Sequence, residues 1–363
     1  MVRPLIPFAA LAAVAACSPG GEHLTIGYAI PVSSRLERFL TMAAADIDSA
    51  SAGRLTIQPW AAAADSRAEL PVARRLAAAP AVLAAVGHSG SKNTLGAAPI
   101  YREAGLPLLV PTATARSLRT SDAPLFPLAP PDDVVGGVMA DFLVDSLHSS
   151  RVAVLYVGDA YGLGIHDGIA SRLRARRNAG VTGTAAVAGF ECHAGPLAMT
   201  MIVRALLRRS QADALVIALT PRESECALRA AVAEAPGLTI VMGDSFDPTA
   251  ADLARLSGAE RRAAWVVSFW NPDADSASRA FRARFRAAVG SDPRPADALA
   301  YDALMVVAAG VREGARTRLS LTRWLQSLGT PARAPYPGLT GPVQFNQPRR
   351  RLIHVRRLPE SAE

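Results

Sequence analysis

Between Ala81 and Thr114 the chain carries two short apolar runs separated by one helical pattern, and this spacing restricts the fold more than any other segment. The first run, Ala81 to Val86, breaks at Gly87 into the polar loop His88-Ser89-Gly90-Ser91. A helical pattern over 92–104 follows and stops at Gly105. The second run, Leu106 to Val110, ends in Pro111-Thr112-Ala113-Thr114. This arrangement predicts a β-α-β unit with hydroxyl groups at both strand ends. In open α/β sheets, ligands collect at the carboxyl ends of the strands. Ser91 is predicted to open the helix, where free N–H groups and the dipole favour an anion such as a carboxylate.

The same alternation runs through most of the chain. Strands are predicted at Leu24–Ile30, Leu55–Trp60, Ala81–Val86, Leu106–Val110, Val152–Val157, Gly183–Phe190, Ala214–Leu219, Thr239–Met242 and Ala264–Phe269. Helical patterns lie between them at 36–50, 67–78, 92–104, 133–147, 162–178, 196–210, 222–235 and 275–289. Such alternation predicts an α/β fold with parallel sheets covered on both faces. Nine strands sit more comfortably in two sheets than in one. The stretch from Leu125 to Pro131 holds three prolines, which cannot continue a helix or a central strand, so it reads as a crossover. Asp132 or Asp133 would then cap the next helix.

The N-terminus reads as an export leader. Arg3 supplies a positive region, and Leu5 to Ala16 is apolar over 12 residues, short of the roughly 20 needed to span a bilayer. The leader ends in Val14-Ala15-Ala16-Cys17, which looks like a bacterial lipobox, with Cys17 as the lipidated mature N-terminus. A plain secretory signal cut near Cys17 is the other reading. Residues 1–16 are thus the signal and 17–23 a flexible tether, and Ser18 favours the outer membrane in Gram-negative sorting. The remainder is long enough for two domains of ordinary size, and it contains no membrane-spanning run.

The net charge of +8 raises the question of nucleic acid. Export argues against that partner, and the arginines are spread over many helices. In 278–289, Arg279, Arg282 and Arg286 fall on one helical stripe and Phe281 and Phe285 on another, a solvated face beside a core face. Basic character instead gives a weak preference for anionic ligands or surfaces. Besides Cys17 there are two cysteines, Cys192 and Cys226. In an oxidising compartment they form either a disulfide or two free buried thiols, and spacing does not choose between these. No Cys/His cluster has zinc spacing, and nothing in the pattern asks for a metal or a cofactor.

The Gly-His loop carrying a Ser, followed by Pro-Thr-Ala-Thr at the next strand end, resembles the type I periplasmic binding proteins, the Leu/Ile/Val-binding group of ABC importers. Further motifs agree: Ala44-Ala45-Asp46-Ile47-Asp48 at a helix end, Tyr161-Gly162-Leu163-Gly164 after a strand, and Tyr301-Asp302-Ala303, which resembles the family's helix start. Gly341-Pro342-Val343-Gln344-Phe345-Asn346 resembles a late strand of the family, expected to pair with Leu352–Leu358 in a terminal hairpin. The first loop departs, since Pro31-Val32-Ser33-Ser34 lacks the family's Gly. The resemblance implies two Rossmann-like lobes joined by a three-strand hinge. Lobe 1 would hold 24–128 and 270–337, lobe 2 would hold 129–269 and 338–358, and 359–363 would be a tail. The second and third crossovers are expected near Phe269–Pro272 and Pro337–Pro342.

The implied function is capture of a small polar solute (an amino acid, an amide or a related carboxylate) between the lobes, for delivery to an ABC permease from the periplasm or cell envelope. The matching ligand residues are Ser91, Thr112, Ala113, Thr114 and Tyr161. Without the resemblance, Ser91 reads as a helix cap, the threonines as strand-end hydrogen bonders and Tyr161 as a turn residue. The family's second-lobe acid falls on Ser245, with Asp244 and Asp247 on either side, so an acid has moved or the ligand lacks an amine. Asp244 is the expected acid. Ser89, Lys92, Thr220 and Arg222 are candidates of second rank. Lys92 is the one lysine against 38 arginines, and either a ligand contact or codon bias accounts for it. Thr220-Pro221-Arg222-Glu223 stands where the family often carries an aromatic pair, and Arg222 would suit an anionic group.

Two other classes are weighed against this. One is a lipoprotein that uses the binding fold to sense or regulate an envelope partner. The other is a serine hydrolase, since Gly87-His88-Ser89-Gly90-Ser91 resembles the Gly-x-Ser-x-Gly elbow with Ser89 as nucleophile. There the closing glycine is Ser91, and no acid and histidine follow in the required order.

Overall fold

The apolar runs around Gly87 pair side by side in parallel, as their two-sided burial requires. The computed structural model describes residues 24–30, 33–60, 69–176, 179–189, 191–192, 195–349 and 352–359. The leader, Cys17, the tether, Pro31, Val32 and residues beyond 359 lie outside the described residues. The first sheet has β1 (Leu24–Tyr28), β2 (Leu55–Pro59), β3 (Val82–Val86), β4 (Leu108–Val110) and β5 (Leu125–Pro127), in the order 2-1-3-4-5 and parallel throughout. Every residue of β3 is buried. The second sheet takes its parallel part from β6 (Arg151–Val157), β7 (Gly180–Val187), β8 (Ala214–Ala218), β9 (Thr239–Met242) and β10 (Ala264–Ser268). Two lobes of α/β structure result, as the alternation predicts.

Helices cover both sheets. In the first lobe these are α1 (Ser34–Ser51), α2 (Glu69–Ala78) and α3 (Gly90–Ala104). In the second they are α4 (Asp132–Asp145), α5 (Ala160–Arg174), α6 (Pro196–Ser210), α7 (Pro221–Glu234) and the short α8 (Ala250–Ala254) and α9 (Gly258–Ala263). The chain then returns to the first lobe through α10 (Ser276–Val289), α11 (Pro295–Arg312) and α12 (Arg318–Ser327), which pack on α1 and β3. On α10, Phe281, Phe285 and Val289 are buried, while Arg282 and Arg286 pair outside with Asp273 and Asp292. The two stripes read from the sequence are therefore a core face and a solvated face.

Three expectations need correction. Leu125–Pro127 is a strand and not only a crossover: proline is tolerated at the edge of a sheet, and β5 is the edge. Next, the terminal hairpin does not form. Gly341–Val343 (β12) pairs with Tyr336–Gly338 (β11), and His354–Arg357 (β13) joins the second sheet antiparallel to β10. There β13 satisfies an edge that β10 would otherwise leave open. Finally, Tyr301-Asp302-Ala303 lies inside α11, whose start at Pro295 uses proline at the first helical position.

The chain passes between the sheets three times: after β5, after β10, and through the β11–β12 ribbon to β13. Arg349, 7% exposed, draws two of these passages together. Its guanidinium donates to the Leu128 carbonyl at 3.0 Å in the first passage. The same group donates to the carbonyls of Thr340, Gly341 and Pro342 at 3.2, 3.0 and 3.0 Å in the third. Asp302, buried on α11, accepts from the amides of Leu339 and Thr340 at 2.6 and 2.8 Å and fixes the same ribbon to the first lobe. Replacing Arg349 removes the donor that these four carbonyls share. Arg349→Ala is expected to lower unfolding free energy by about 2–4 kcal/mol in urea titration. A loss below about 0.5 kcal/mol would show that the passages hold without it.

Candidate functional site

The carboxyl ends of β3 and β4 face those of β6, β8, β9 and β10 across a cleft of about 560 Å³. Its lobe 1 wall is built from Ser89 to Asn93 and from Thr112, Ala113 and Thr114. Tyr161, Thr220 and Asp244 stand on the lobe 2 wall. Nine of the ten candidate side chains thus line one cavity. Arg222 is the exception: it lies in a neighbouring depression of about 590 Å³ with Cys192, Cys226, Arg229 and Arg255. Thr220 caps α7 and Pro221 is its first residue; Arg222, one step further round the helix, turns away from the cleft.

The loop after β3 is braced from behind. His88 is fully buried; its Nδ1 lies 2.7 Å from Glu69 Oε2 and its Nε2 lies 2.9 Å from the Tyr101 hydroxyl. Asn93 donates to the other Glu69 oxygen at 2.9 Å and to the Ser89 carbonyl at 3.0 Å. Both ring nitrogens of His88 are thus engaged away from Ser89. Among the described residues no histidine lines the cleft, so Ser89 has no imidazole beside it.

Ser91 differs from its predicted role as the helix opener. α3 begins at Gly90, with Ser89 in the N-cap position. The Ser91 hydroxyl instead accepts from the amides of Thr114 and Ala115 at 3.3 and 3.1 Å, stapling α3 to the exit of β4. Its own proton remains to donate into the cleft. Lys92, exposed on the next turn position, sits at the rim.

On the facing wall, Asp159 caps α5 through the amides of Tyr161 and Gly162 at 3.0 and 3.2 Å. A Cβ on Gly162 would lie 2.0 Å from the Val157 carbonyl, so only glycine lets α5 begin this close to β6. The Tyr161 hydroxyl donates to Ser245 Oγ at 3.1 Å, and Ser245 in turn donates to the Leu219 carbonyl. Ser245, the positional match to the family's acid, is thereby spent on holding Tyr161.

Uncompensated acid marks this wall. Burial pushes the Asp244 carboxyl up to about 7, and its Oδ1 is buried without a hydrogen-bond partner. Asp132 is wholly buried at the start of α4, with neither oxygen partnered; burial and then the charge of Asp244 raise it well above the usual carboxylate range. A cleft that buries such groups has room for a cation. Among the described residues, no cluster of His, Cys, Asp and Glu has the geometry to hold a metal ion.

The cleft also holds Asp247, which the sequence reading placed beside Ser245, and three groups that it missed: Ser268, Arg294 and Arg356. Arg294 stands directly before the helix-starting Pro295, which is a local signal. Arg356 enters through the unexpected pairing of β13 with β10. The choice between thiols and a bridge is settled in favour of a disulfide: Cys192 and Cys226 are bonded, with Cα atoms 6.5 Å apart, tying the loop after β7 to α7. No described helix is long and apolar enough to cross a membrane.

A family model described as periplasmic binding protein matches residues 62–358. An amino acid binding protein of Pseudomonas aeruginosa is 31% identical over 112 residues, which are 31% of this chain and 30% of that protein's length. The fold is shared with an ABC transporter substrate-binding protein from Desulfitobacterium hafniense at a TM-score of 0.77 and 22% identity, over 93% of this chain and 98% of that one. It is also shared with the branched-chain amino acid transporter substrate binding protein LivJ from Streptococcus pneumoniae, in complex with isoleucine (TM-score 0.74, 21% identity, 89% and 92% covered). A solute binding protein of an ABC transporter from Rhodopseudomonas palustris BisB5, in complex with 3,4-dihydroxy benzoic acid, aligns at a TM-score of 0.73 and 14% identity, with 88% of each chain covered. With the family model spanning most of its length and a cleft between two parallel-sheet lobes, the chain belongs to the periplasmic binding proteins.

Proposed function

We propose that the solute is an α-amino acid, held as a zwitterion across the cleft. The observation that carries this is the pairing of opposite needs on facing walls. Lobe 1 offers anion holders, namely the α3 N-terminus with Ser89, Ser91, Lys92, Thr112, Ala113 and Thr114. Lobe 2 offers the half-buried carboxyl of Asp244, whose Oδ1 is buried without a hydrogen-bond partner, with Tyr161 and Thr220 beside it. A carboxylate and an ammonium on one carbon answer both. The amino acid binding relative and the isoleucine complex support the reading. No bond is made or broken; the lobes, 24–128 with 270–337 and 129–269 with 338–358, close by bending at the three passages. The solute then passes to an ABC permease. Cys17 carries a lipid that anchors the protein at the periplasmic membrane surface.

Thr114→Ala is the cleaner test of the head-group site, because Ser91→Ala also strands two amides and lowers the melting temperature. Loss of one hydrogen bond to a charged group costs about 1.5–3 kcal/mol, or roughly 10- to 150-fold in affinity. Calorimetry of the bound amino acid is expected to show that loss for Thr114→Ala. Wild-type affinity in both variants would mean that the site is misplaced.

Proton linkage tests the amine. The folded-state pKa of Asp244 lies above its ordinary 3.8, so the unliganded fold holds this proton more tightly than the unfolded chain. Unliganded stability is fullest below that value and falls as pH rises towards about 7, by at most about 1.4 kcal/mol per pH unit. An ammonium beside Asp244 favours the carboxylate, so affinity rises across the same window and binding at pH 6 releases protons. Calorimetry in two buffers of different ionisation enthalpy measures the release, and Asp244→Asn abolishes its share. A buffer-independent enthalpy in the wild type counts against an amine at Asp244.

The anchor is tested separately. Cys17→Ser is expected to abolish incorporation of labelled palmitate in cells, whereas a wild type that never acquires the label rules the anchor out.

A further inference from the structure

The zwitterionic head leaves the opposite end of the cleft unused, and that end carries unbalanced positive charge. Arg294 stands at the N-cap of α11, and Arg294, Pro295 and Ala296 line the cleft. Asp297 is spent behind the wall, where it takes both arms of Arg35 at 2.6 and 2.8 Å and the Arg294 amide at 2.7 Å. Arg294 Nε reaches Asp297 only at 3.7 Å and is buried without a hydrogen-bond partner. From the other lobe comes Asp247, whose carboxyl burial raises to about 6 against the opposing pull of Arg294, Arg356 and the Ala296 amide. The Arg356 guanidinium makes no hydrogen bond to any described residue, and burial lowers its pKa.

At this end two guanidiniums of the cleft lining, of Arg294 and Arg356, thus stand with one carboxylate of that lining, of Asp247, while Asp297 is paired with Arg35 behind the wall. The walls beside them are apolar: Val266, Val267, Phe269 and Leu299 line the same cleft. Arg294 Nε is buried without a partner, and the exposed guanidinium of Arg356 lines the same cleft; a planar fork without a partner is suited to a carboxylate. The seat of Asp247 at this helix end shows that the position already accepts such a group.

We infer that this end of the cleft is a second anion subsite, formed by Arg294 and Arg356 at the α11 N-terminus, and that the solute is an amino acid with a carboxylate on its side chain. This rests on the zwitterion reading and names the class of solute within it. The overall charge of +8 draws such a solute in.

Calorimetry with L-aspartate, L-glutamate and L-2-aminoadipate, set against L-glutamine and L-leucine, tests the subsite. The expected result is at least one acidic amino acid bound ten-fold or more tightly than either neutral one. Arg356→Gln is then expected to cut the acidic-to-neutral affinity ratio by roughly 10- to 150-fold, the range for one hydrogen bond to a charged group. Arg294→Gln provides the same readout should the first variant unfold. Preference for leucine or glutamine in the wild type overturns the subsite and leaves the zwitterion reading standing. So does a ratio that survives both substitutions. Failure of all five compounds to bind overturns the zwitterion reading, and the subsite with it.

Discussion

One buried guanidinium, that of Arg349, gathers carbonyls from two stretches of chain separated by more than two hundred residues. Both stretches run between the sheets, so the relation of one lobe to the other passes through this side chain. Burial lowers the Arg349 pKa to about 10, yet the group stays charged at neutral pH and donates to four carbonyl oxygens and the Thr340 hydroxyl. Asp302 works against the same ribbon from α11, taking its amides where Arg349 takes its carbonyls. Donors and acceptors of an irregular crossing are thereby satisfied without secondary structure, which a connection at the centre of a molecule requires. Everything said of the cleft depends on that joint, because each wall belongs to a different sheet.

Much of this was readable in the order of residues. Strands buried on both faces, such as β3 and β8, are unbroken apolar runs and were legible. The edge strands β2 and β7 were legible too, but β5, which contains a proline, was not, and the partner of β13, which reads His-Val-Arg-Arg, was not. Both pairings come from an open neighbour and not from the strand's own pattern. α11 is buried on nearly every side, so it lacks the polar stripe that sets a surface helix apart. Within the cleft, Ser91 and Thr112 to Thr114 were visible because one β-α-β unit brings them together. Arg294 and Arg356 were not, since one comes from α11 and the other from β13, and only the crossing of the lobes brings both to Asp247. The short distance between Thr220 and Arg222 in sequence hid a turn of helix that separates cleft from outer surface.

The electrostatics of the cleft follow a division of labour. At the head end, anion holders and acids face each other and neither is used up by the other. Ser91 shows how little room such a site leaves for single-purpose groups: its oxygen holds two amides of the β4 exit while its proton remains for a ligand. Tyr161 is similarly doubled, being fixed by Ser245 and standing over the acid. At the opposite end the excess is positive. Such preorganisation within each wall lowers the ordering cost of binding.

The arginine-dominated composition has a practical effect on chemistry at this cleft. With Lys92 the chain's one lysine, an acylating dye directed at primary amines finds a single side-chain target, at the rim of the solute cavity. Only the α-amino terminus competes with it. A fluorophore placed there would sense the local environment of the cavity mouth, so the native sequence already carries an attachment point that other binding proteins acquire through an engineered cysteine.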